Sequence, residues 1–397
     1  MDTDQFRRGE KNYEIETLRA VAILFVVFQH SFNYLTFWIP PWAQAFGTFF
    51  SFGQAGVDIF FAVSGYVIAK SFLPDLDEAH SRLDMWRTMI AFWIKRIFRL
   101  WPTVALWVLI DVVLSWQFNK SGAFGSVRQT IIDGVAALAQ VANVHQPYCG
   151  QPNVCFDSPV YPLGPLWSLS LEEQFYFVFP IAAVSLLMRK RFHLLLPALA
   201  LLAMLQLFLA RPDGNLLLYV RTDALCGGVI VYLLSSSEGV RLLSAPLRSI
   251  NPVYKIAVLA LVFTIILLTT GRVVSFNAGI SAIIATIIVF IAHFQVGWFS
   301  VTPKLFLRSI VNWIAARSYS IYVIHCIGIA ITRELWWRWS GAPAPDSDLT
   351  LKFYATWVVV LIVLSELNWR LVESPLRARG RKIADAWLQR RDEQTAG

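Results

Sequence analysis

One long apolar segment near the N-terminus carries two side chains that could do chemistry, Arg19 and His30. The run over residues 15–39 is long enough to cross a hydrocarbon core of ~30 Å as a helix, and a charge inside such a helix costs about 2.5–3.5 kcal/mol. Eleven helical positions return almost to the starting azimuth, about 16 Å further along the axis. The spacing predicts that both side chains face one wall of a helix bundle, where a histidine can accept and return a hydroxyl proton.

Further ionisable residues lie in apolar segments, and counting from the segment ends predicts two layers. The outer layer is mainly acidic with one histidine, and the inner layer is mainly basic: His30, Asp58, Glu172, Glu173, Arg221 and Asp223 outside, and Arg19, Arg96, Arg99 and His325 inside. Arginine forks suit a phosphate-rich ligand, and an acidic cavity suits a polyhydroxy acceptor. A purely structural interpretation stays open for each group. Asp58, Arg221 and Asp223 would then form ion pairs between helices, and His325 would be a packing residue. Arg96 and Arg99 would be lipid-headgroup anchors.

The elements that must position these residues are membrane helices. Of 397 residues, 56% are hydrophobic and 15% are charged, whereas a soluble domain has about 25% charged residues. The net charge of +8 is scattered over short loops, which favours a role in topology over nucleic-acid binding. The sequence predicts an all-α polytopic protein with both termini cytoplasmic and about ten spans, at 15–39, 54–73, 100–118, 166–188, 192–210, 216–235, 253–270, 277–295, 318–337 and 353–371.

The connections carry further predictions. Residues 85–99 predict an amphipathic helix lying on the inner leaflet, in contact with membrane lipids. In the outer loop, Cys149 and Cys155 are spaced for a small disulfide loop or remain free thiols; a zinc site with His145 is disfavoured by the spacing, and no metal is expected. Residues 1–375 are predicted to form one integral-membrane domain, followed by a short basic cytoplasmic tail, 376–397, of little functional promise.

Seven segments in order along the chain resemble the membrane acyltransferase family 3, the integral-membrane O-acyltransferases. They are Arg19 with His30, GVDIFFAVSGYVI from Gly56, KRIFRLWP from Lys95, WSLSLEEQFY from Trp167, RTDAL from Arg221, SYSIYVIH from Ser318, and ESP at Glu373. The resemblance implies ten spans, an acyl-CoA donor (commonly acetyl-CoA) that enters from the cytoplasm, and a bacterial inner membrane. The expected product is an ester on a carbohydrate or glycan hydroxyl at the extracytoplasmic side.

The resemblance also assigns roles. It implies a central functional pair of His30 and Arg19, a basic cytosolic motif at Arg96 and Arg99, and a further functional carboxylate at Glu173. His30 would act as a general base or as an acyl-carrying nucleophile. Apart from the resemblance, we expect donor binding by Arg19, Arg96 and Arg99, and acceptor binding by Asp58, Glu172, Arg221, Asp223 and His325. Some family members carry a fused extracytoplasmic domain, so a second transfer step here is expected to need a separate extracytoplasmic transferase.

A competing interpretation is a proton-coupled transporter of a small polar or acylated metabolite, because carriers also use intramembrane Arg, His and Glu. The absence of an internal repeat in the sequence favours the enzyme.

Overall fold

The computed structural model describes residues 12–36, 53–149, 157–207, 209, 211, 215–235, 237–242, 244–270, 277–294, 297–299, 306–341 and 350–395. Every regular element in these residues is helical, which confirms the all-α prediction. The α-helices are α1 (Tyr13–Leu35), α2 (Gly53–Asp77), α3 (Arg82–Gln117), α4 (Val127–Leu138), α5 (Ala142–Cys149), α6 (Leu166–Met188), α7 (Leu195–Leu207), α8 (Leu216–Tyr219), α9 (Asp223–Ser235), α10 (Glu238–Leu242), α11 (Ser244–Ser249), α12 (Pro252–Thr270), α13 (Asn277–His293), α14 (Phe306–Ser340), α15 (Thr350–Asn368) and α16 (Ser374–Thr395).

The described helices make this a multi-pass membrane protein. Seven helical stretches are long and apolar enough to cross a bilayer, with α8 and α9 counted as one and α15 counted together with α16 as far as Gln389, and each coincides with a span predicted from hydropathy. Three shorter apolar helices, at Phe192–Leu207, Pro252–Val262 and Gly279–His293, fall on the three remaining predicted spans. Ten crossings and cytoplasmic termini therefore stay a prediction.

The amphipathic segment differs from its prediction. Residues 85–99 do not form a separate helix, because they continue without a break into the third span as α3, which has 36 residues. A capping box starts this helix: the Ser81 hydroxyl accepts from the Asp84 N–H at 3.1 Å, and the Asp84 carboxylate accepts from the Ser81 N–H at 3.2 Å. No helix-breaking residue follows before Pro102, which the helix tolerates. Leu83, Trp86 and Ile97 remain exposed, as expected of a face against lipid.

Helices α2 and α9 cross with their backbones in contact. A Cβ atom added at Gly65 would lie 2.0 Å from the Leu225 carbonyl oxygen, and one added at Gly228 would lie 2.0 Å from the Ala62 carbonyl oxygen. Both distances are far below any real contact, so only glycine permits this crossing. The close approach holds α2, which supplies a wall of the site, against the core of the bundle.

We expect Gly228→Ala to lower the stability of the folded protein by about 1–3 kcal/mol or more, because the helices must separate to admit the methyl group. Gly328→Ala is the matched control, since its Cβ would meet its nearest neighbours at 3.8 Å, an ordinary contact. Thermal unfolding in detergent measures both. Equal melting temperatures for the two variants would show that the α2–α9 crossing is not tightly packed.

A buried polar network joins α3, α14 and the end of α15. The Trp107 indole N–H donates to the Asn368 Oδ1 at 3.0 Å, and the Asn368 amide donates to the Ser320 hydroxyl at 2.7 Å. Ser320 in turn donates to the Glu373 carboxylate at 2.6 Å. Glu373 ends a π-helical turn, Trp369–Glu373, which leads directly into α16. The network thereby fixes where α16 starts, and α16 then packs along α3.

Candidate functional site

Two histidines meet where α1 packs against α14. The Nδ1 atom of His30 lies 3.3 Å from the Nε2 atom of His325, and the two ring centroids are 4.9 Å apart in an edge-on arrangement. His325 is fully buried, whereas His30 is only partly buried. Arg19, lower on α1, donates to the Ser318 hydroxyl of α14 at 3.0 Å. The structure thus places Arg19 and His30 against the same neighbouring helix.

The backbone contacts of the two histidines decide which nitrogen atoms carry hydrogen. The His30 Nδ1 lies 2.8 Å from the Val26 carbonyl oxygen, and the His325 Nδ1 lies 2.6 Å from the Tyr322 carbonyl oxygen. A carbonyl oxygen only accepts, so in the neutral form both Nδ1 atoms are protonated. The His325 Nε2 is then an acceptor for the His30 N–H. Among the described residues the His30 Nε2 has no hydrogen-bond partner, which leaves it as the free base of the pair.

A central cavity lies beside the histidine pair. Its empty space, including the open solvent at its mouth, amounts to about 600 Å³. Its lining is Arg19, Val57, Phe60, Phe61, Val63, Ser64, Arg99, Leu100, Ser168, Leu169, Glu172, Tyr176, Ser318, Tyr319 and Tyr322. Neither histidine is part of this lining; the Tyr322 ring lies 5.7 Å from that of His325. The Tyr322 hydroxyl donates to the Pro165 carbonyl at 2.7 Å, which holds this wall in place.

Glu172 is the acidic group of the central cavity. Its Oε1 atom accepts hydrogen bonds from the Ser64 and Tyr176 hydroxyls. Arg19 and Arg99 line the same cavity, so the acidic and basic layers predicted from residue counting meet in one space. Counting along each helix ignores tilt, which changes the depth that a given residue reaches.

A second cavity, the basic cavity, lies among α2, α3 and α16. It has about 660 Å³ of empty space and is lined by Ser71, Phe72, Asp75, Thr88, Ala91, Phe92, Lys95, Arg96, Arg99, Arg377 and Arg381. Five basic side chains therefore face one acidic side chain. Arg99 lines both cavities, so they share a wall.

The two arginines predicted to bind the donor have different surroundings. The Arg96 guanidinium lies over the rings of Tyr176, at 4.9 Å, and Phe92, at 5.2 Å, and it donates to the Ser71 hydroxyl at 3.3 Å. Arg99 makes no hydrogen bond or ion pair within the described part of the chain, and its buried Nε has no partner. Arg99 is thus the arginine that is available to a ligand.

Three of the charged residues predicted to bind the acceptor, Asp58, Arg221 and Asp223, form buried ion pairs. Arg221 lies 3.2 Å from Asp58 and stacks on the Trp167 ring at 5.6 Å, and Asp223 lies 2.8 Å from Arg211. Asp58, Arg221 and Asp223 line neither cavity. Glu173 also lies outside both linings, and its buried Oε1 has no hydrogen-bond partner among the described residues. The structure does not bring these four residues to the histidine pair.

The outer connection holds the cysteine candidates. Cys149 takes part in a disulfide bond, whereas Cys155 lies outside the described residues. Next to Cys149, the His145 Nε2 contacts the Asp133 carboxylate at 2.7 Å. Burial raises the pKa of Asp133, and the hydrogen bond from His145 opposes that rise. Near the membrane site, potential ligand atoms of His30, His325 and Cys326 lie within 4.8 Å of one another; the expectation of no metal stays a prediction.

Several cavity residues were missed by sequence reasoning. Ser64, Tyr176, Ser318 and Tyr322 stand in the quoted motifs but attracted no assignment, although polar side chains in apolar helices were a usable signal. Arg377 and Arg381 fall in the tail that was predicted to be of little functional promise. Their spacing of four residues on a helix could have shown that they share a face.

Comparison with known proteins identifies the domain. A family model described as an acyltransferase domain matches residues 12–365. The chain belongs to this acyltransferase family. It is 24% identical over 413 residues to the O-acetyltransferase OatA of Staphylococcus aureus strain MRSA252, covering 100% of this chain and 63% of the relative. A putative O-acetyltransferase of S. aureus strain COL is 26% identical over 384 residues, covering 93% of this chain and 58% of the relative.

This acyltransferase chain therefore spans less than two thirds of the length of these relatives. No solved structure matches it. Both cavities lie within the matched residues except for Arg377 and Arg381, which α16 contributes from beyond residue 365. The recognition from sequence motifs is confirmed, and residues 12–365 are an acyltransferase domain of the type that transfers groups other than aminoacyl groups.

Proposed function

We propose that the protein is an O-acyltransferase, specifically an O-acetyltransferase, that moves an acyl group from cytosolic acyl-CoA to a carbohydrate hydroxyl on the extracytoplasmic side of a bacterial inner membrane. Family membership and the names of the relatives support the reaction class. The observation that carries the proposal is the position of Arg99, which lines both the basic cavity and the central cavity. The central cavity lies beside His30, whose imidazole has a free Nε2.

The basic cavity suits the phosphates of the donor. Coenzyme A carries a diphosphate and a 3′-phosphate, and guanidinium groups bind such oxygens through paired, charge-assisted hydrogen bonds. Arg99 has no protein partner among the described residues and so needs no rearrangement to bind an anion. Arg96, held over two aromatic rings, adds its positive charge to the cavity.

The histidine pair suits general-base catalysis. The acceptor hydroxyl gives its proton to the His30 Nε2 while its oxygen attacks the thioester carbonyl carbon. The carbon–sulfur bond then breaks, and the thiolate takes the proton from His30. During the step His30 is a cation, and its Nδ1–H remains directed at two acceptors, the Val26 carbonyl oxygen and the His325 Nε2, which stabilise it. His325 is a positioning residue in this mechanism.

The distance along α1 matches the length of the donor arm. Arg19 lines the central cavity, and His30 lies eleven residues further along the same helix, about 16 Å away. A pantetheine arm of comparable reach brings the thioester to His30 while the nucleotide stays in the basic cavity. Glu172 presents an Oε2 without a hydrogen-bond partner in the described residues, and this oxygen accepts from a ligand hydroxyl in the central cavity.

The test uses right-side-out membrane vesicles from cells that produce the protein, because they carry the native acceptor. The vesicles are loaded with acetyl-CoA that is radiolabelled in the acetyl group. We expect base-labile label on glycans at the outer surface and free coenzyme A in the lumen, both absent from vesicles of a deletion strain. Intact acetyl-CoA in the outer medium, or equal labelling without the protein, would contradict the proposal and favour a carrier.

A further inference from the structure

The C-terminal helix α16 contributes two arginines to the basic cavity. Arg377 and Arg381 are one helical turn apart on α16 and share a face. Both line the basic cavity, opposite Arg96 and Arg99 of α3. Two of the helices that line the cavity therefore contribute two arginines each, and one of these two, α16, lies beyond the residues that the family model matches.

Close packing holds α16 at this distance from α3. A Cβ atom added at Gly380 would lie 2.4 Å from the Phe98 Cβ, so the two helices touch where glycine leaves out a side chain. Further along, the Lys95 ammonium and the Asp385 carboxylate form an ion pair at 3.5 Å. Gly380 stands between Arg377 and Arg381 in the sequence. The helix contact therefore fixes the position of both arginines relative to Arg99.

The protein compensates the positive charge of the cavity only in part, through Asp75 in the lining and Glu373 nearby. Within the described residues, Arg99, Arg377 and Arg381 make no hydrogen bond and no ion pair. The nearest charges around Arg377 include Arg99 and Arg19 as well as Glu373. Like charges gathered beside a low-dielectric interior repel one another, and a bound polyanion removes that repulsion. Unpaired guanidinium groups that converge from two helices point to a phosphate-bearing ligand.

Resting on the proposed function, we propose that Arg377 and Arg381 bind the nucleotide phosphates of the donor and make the enzyme select coenzyme A thioesters over thioesters without a phosphorylated nucleotide. A phosphomonoester carries about −1.5 to −2 charges near pH 7, which matches the surplus of arginines. The same phosphate chemistry occurs in anionic lipid headgroups, so the experiment must separate the two sources.

Inside-out vesicles expose the donor side to the medium and keep the native acceptor. Acetyl-CoA, acetyl-dephospho-CoA and acetyl-pantetheine, each labelled in the acetyl group, are compared through the KM of base-labile incorporation. We expect wild type to prefer acetyl-CoA over acetyl-pantetheine, and Arg377→Ala/Arg381→Ala to reduce that preference about 100-fold, since each charge-assisted hydrogen bond is worth about tenfold or more in affinity. Arg377→Lys/Arg381→Lys should restore only part of it.

The matched control removes the same charge from another face of the same helix. Arg379 and Lys382 are exposed and line neither cavity, so Arg379→Ala/Lys382→Ala should keep the wild-type preference. Gly380→Leu forces α16 away from Phe98 without removing a charge. This variant should weaken the preference for acetyl-CoA over acetyl-pantetheine. A preference that persists in Arg377→Ala/Arg381→Ala, or that falls equally in the control, would overturn the proposal.

Direct binding separates this proposal from the proposed function. Calorimetry in uncharged detergent measures coenzyme A and dephospho-coenzyme A against the purified full chain. Coenzyme A affinity that falls about 100-fold in Arg377→Ala/Arg381→Ala supports the site even if the vesicles show no acyl transfer, an outcome in which only the proposed function fails. Unchanged coenzyme A affinity, together with weaker binding of the variant to phosphatidylglycerol vesicles, would assign the arginines to lipid and reject the proposal.

Discussion

His30→Ala is expected to lower acyl transfer by about 10²–10⁴-fold, the usual contribution of a positioned general base. The His30 Nε2 is the free base of the histidine pair, and alanine leaves no group to take the acceptor proton. Folding should survive because His30 is only partly buried and its hydrogen bonds are made by Nδ1 alone. Labelled acetyl incorporation in vesicles measures activity, and thermal unfolding in detergent confirms that the variant is folded.

His193→Ala is the matched control, since His193 is an exposed histidine in a short turn, and it should retain wild-type activity. His325→Gln provides a second readout. Its amide can still accept from the His30 N–H, so this variant should keep more activity than His325→Ala and should shift the pH profile of the rate. Activity of His30→Ala within a few-fold of wild type would remove His30 from the mechanism.

Arg221→Met is expected to destabilise the folded protein by about 3–5 kcal/mol, the cost of leaving a buried charge without its partner. Arg221 and Asp58 are both almost fully buried and lie 3.2 Å apart. Methionine keeps much of the packing against Trp167 but leaves the Asp58 carboxylate uncompensated at the α2–α9 interface. Chemical or thermal unfolding in detergent measures the loss.

The double variant Arg221→Met/Asp58→Asn should recover much of that stability, because neither charge is then buried alone. Arg370→Met is the control for an exposed pair: Arg370 is 67% exposed and its partner Glu366 keeps Arg317, so the change should stay below about 1 kcal/mol. If Arg221→Met and Arg370→Met cost the same, the Arg221–Asp58 pair is not a structural element and its assignment to acceptor binding regains support.

The amino-acid sequence predicted the all-α membrane fold. It also predicted that Arg19 and His30 face the same wall, and both contact α14. Apolar segments of membrane length were sufficient to locate seven described membrane helices, because the bilayer imposes one length and one secondary structure on a span. The contact between the His30 Nδ1 and the Val26 carbonyl joins residues four positions apart. Such a contact is local to one helix, so it lies within reach of sequence reasoning.

The residues that contact the predicted site residues lie in distant parts of the chain. His325, which accepts from His30, is 295 positions away in the sequence. Likewise, Arg221 pairs with Asp58 rather than facing a cavity, although both stand in motifs that suggested a ligand site. Periodicity shows which residues share a helix face, but it does not show which other helix that face meets.

The difference between the sequence-based prediction and the structure is largest for α16. Composition and spacing determined that residues after Glu373 are basic, that the spans are apolar, and that arginines and histidines at membrane depth need a compensating interaction. Tertiary structure alone decided that Gly380 packs on Phe98 and turns Arg377 and Arg381 into the basic cavity. The physical reason is that a helix backbone is held by local hydrogen bonds, whereas a binding site is made where separate helices pack, and packing depends on shapes that no single segment encodes.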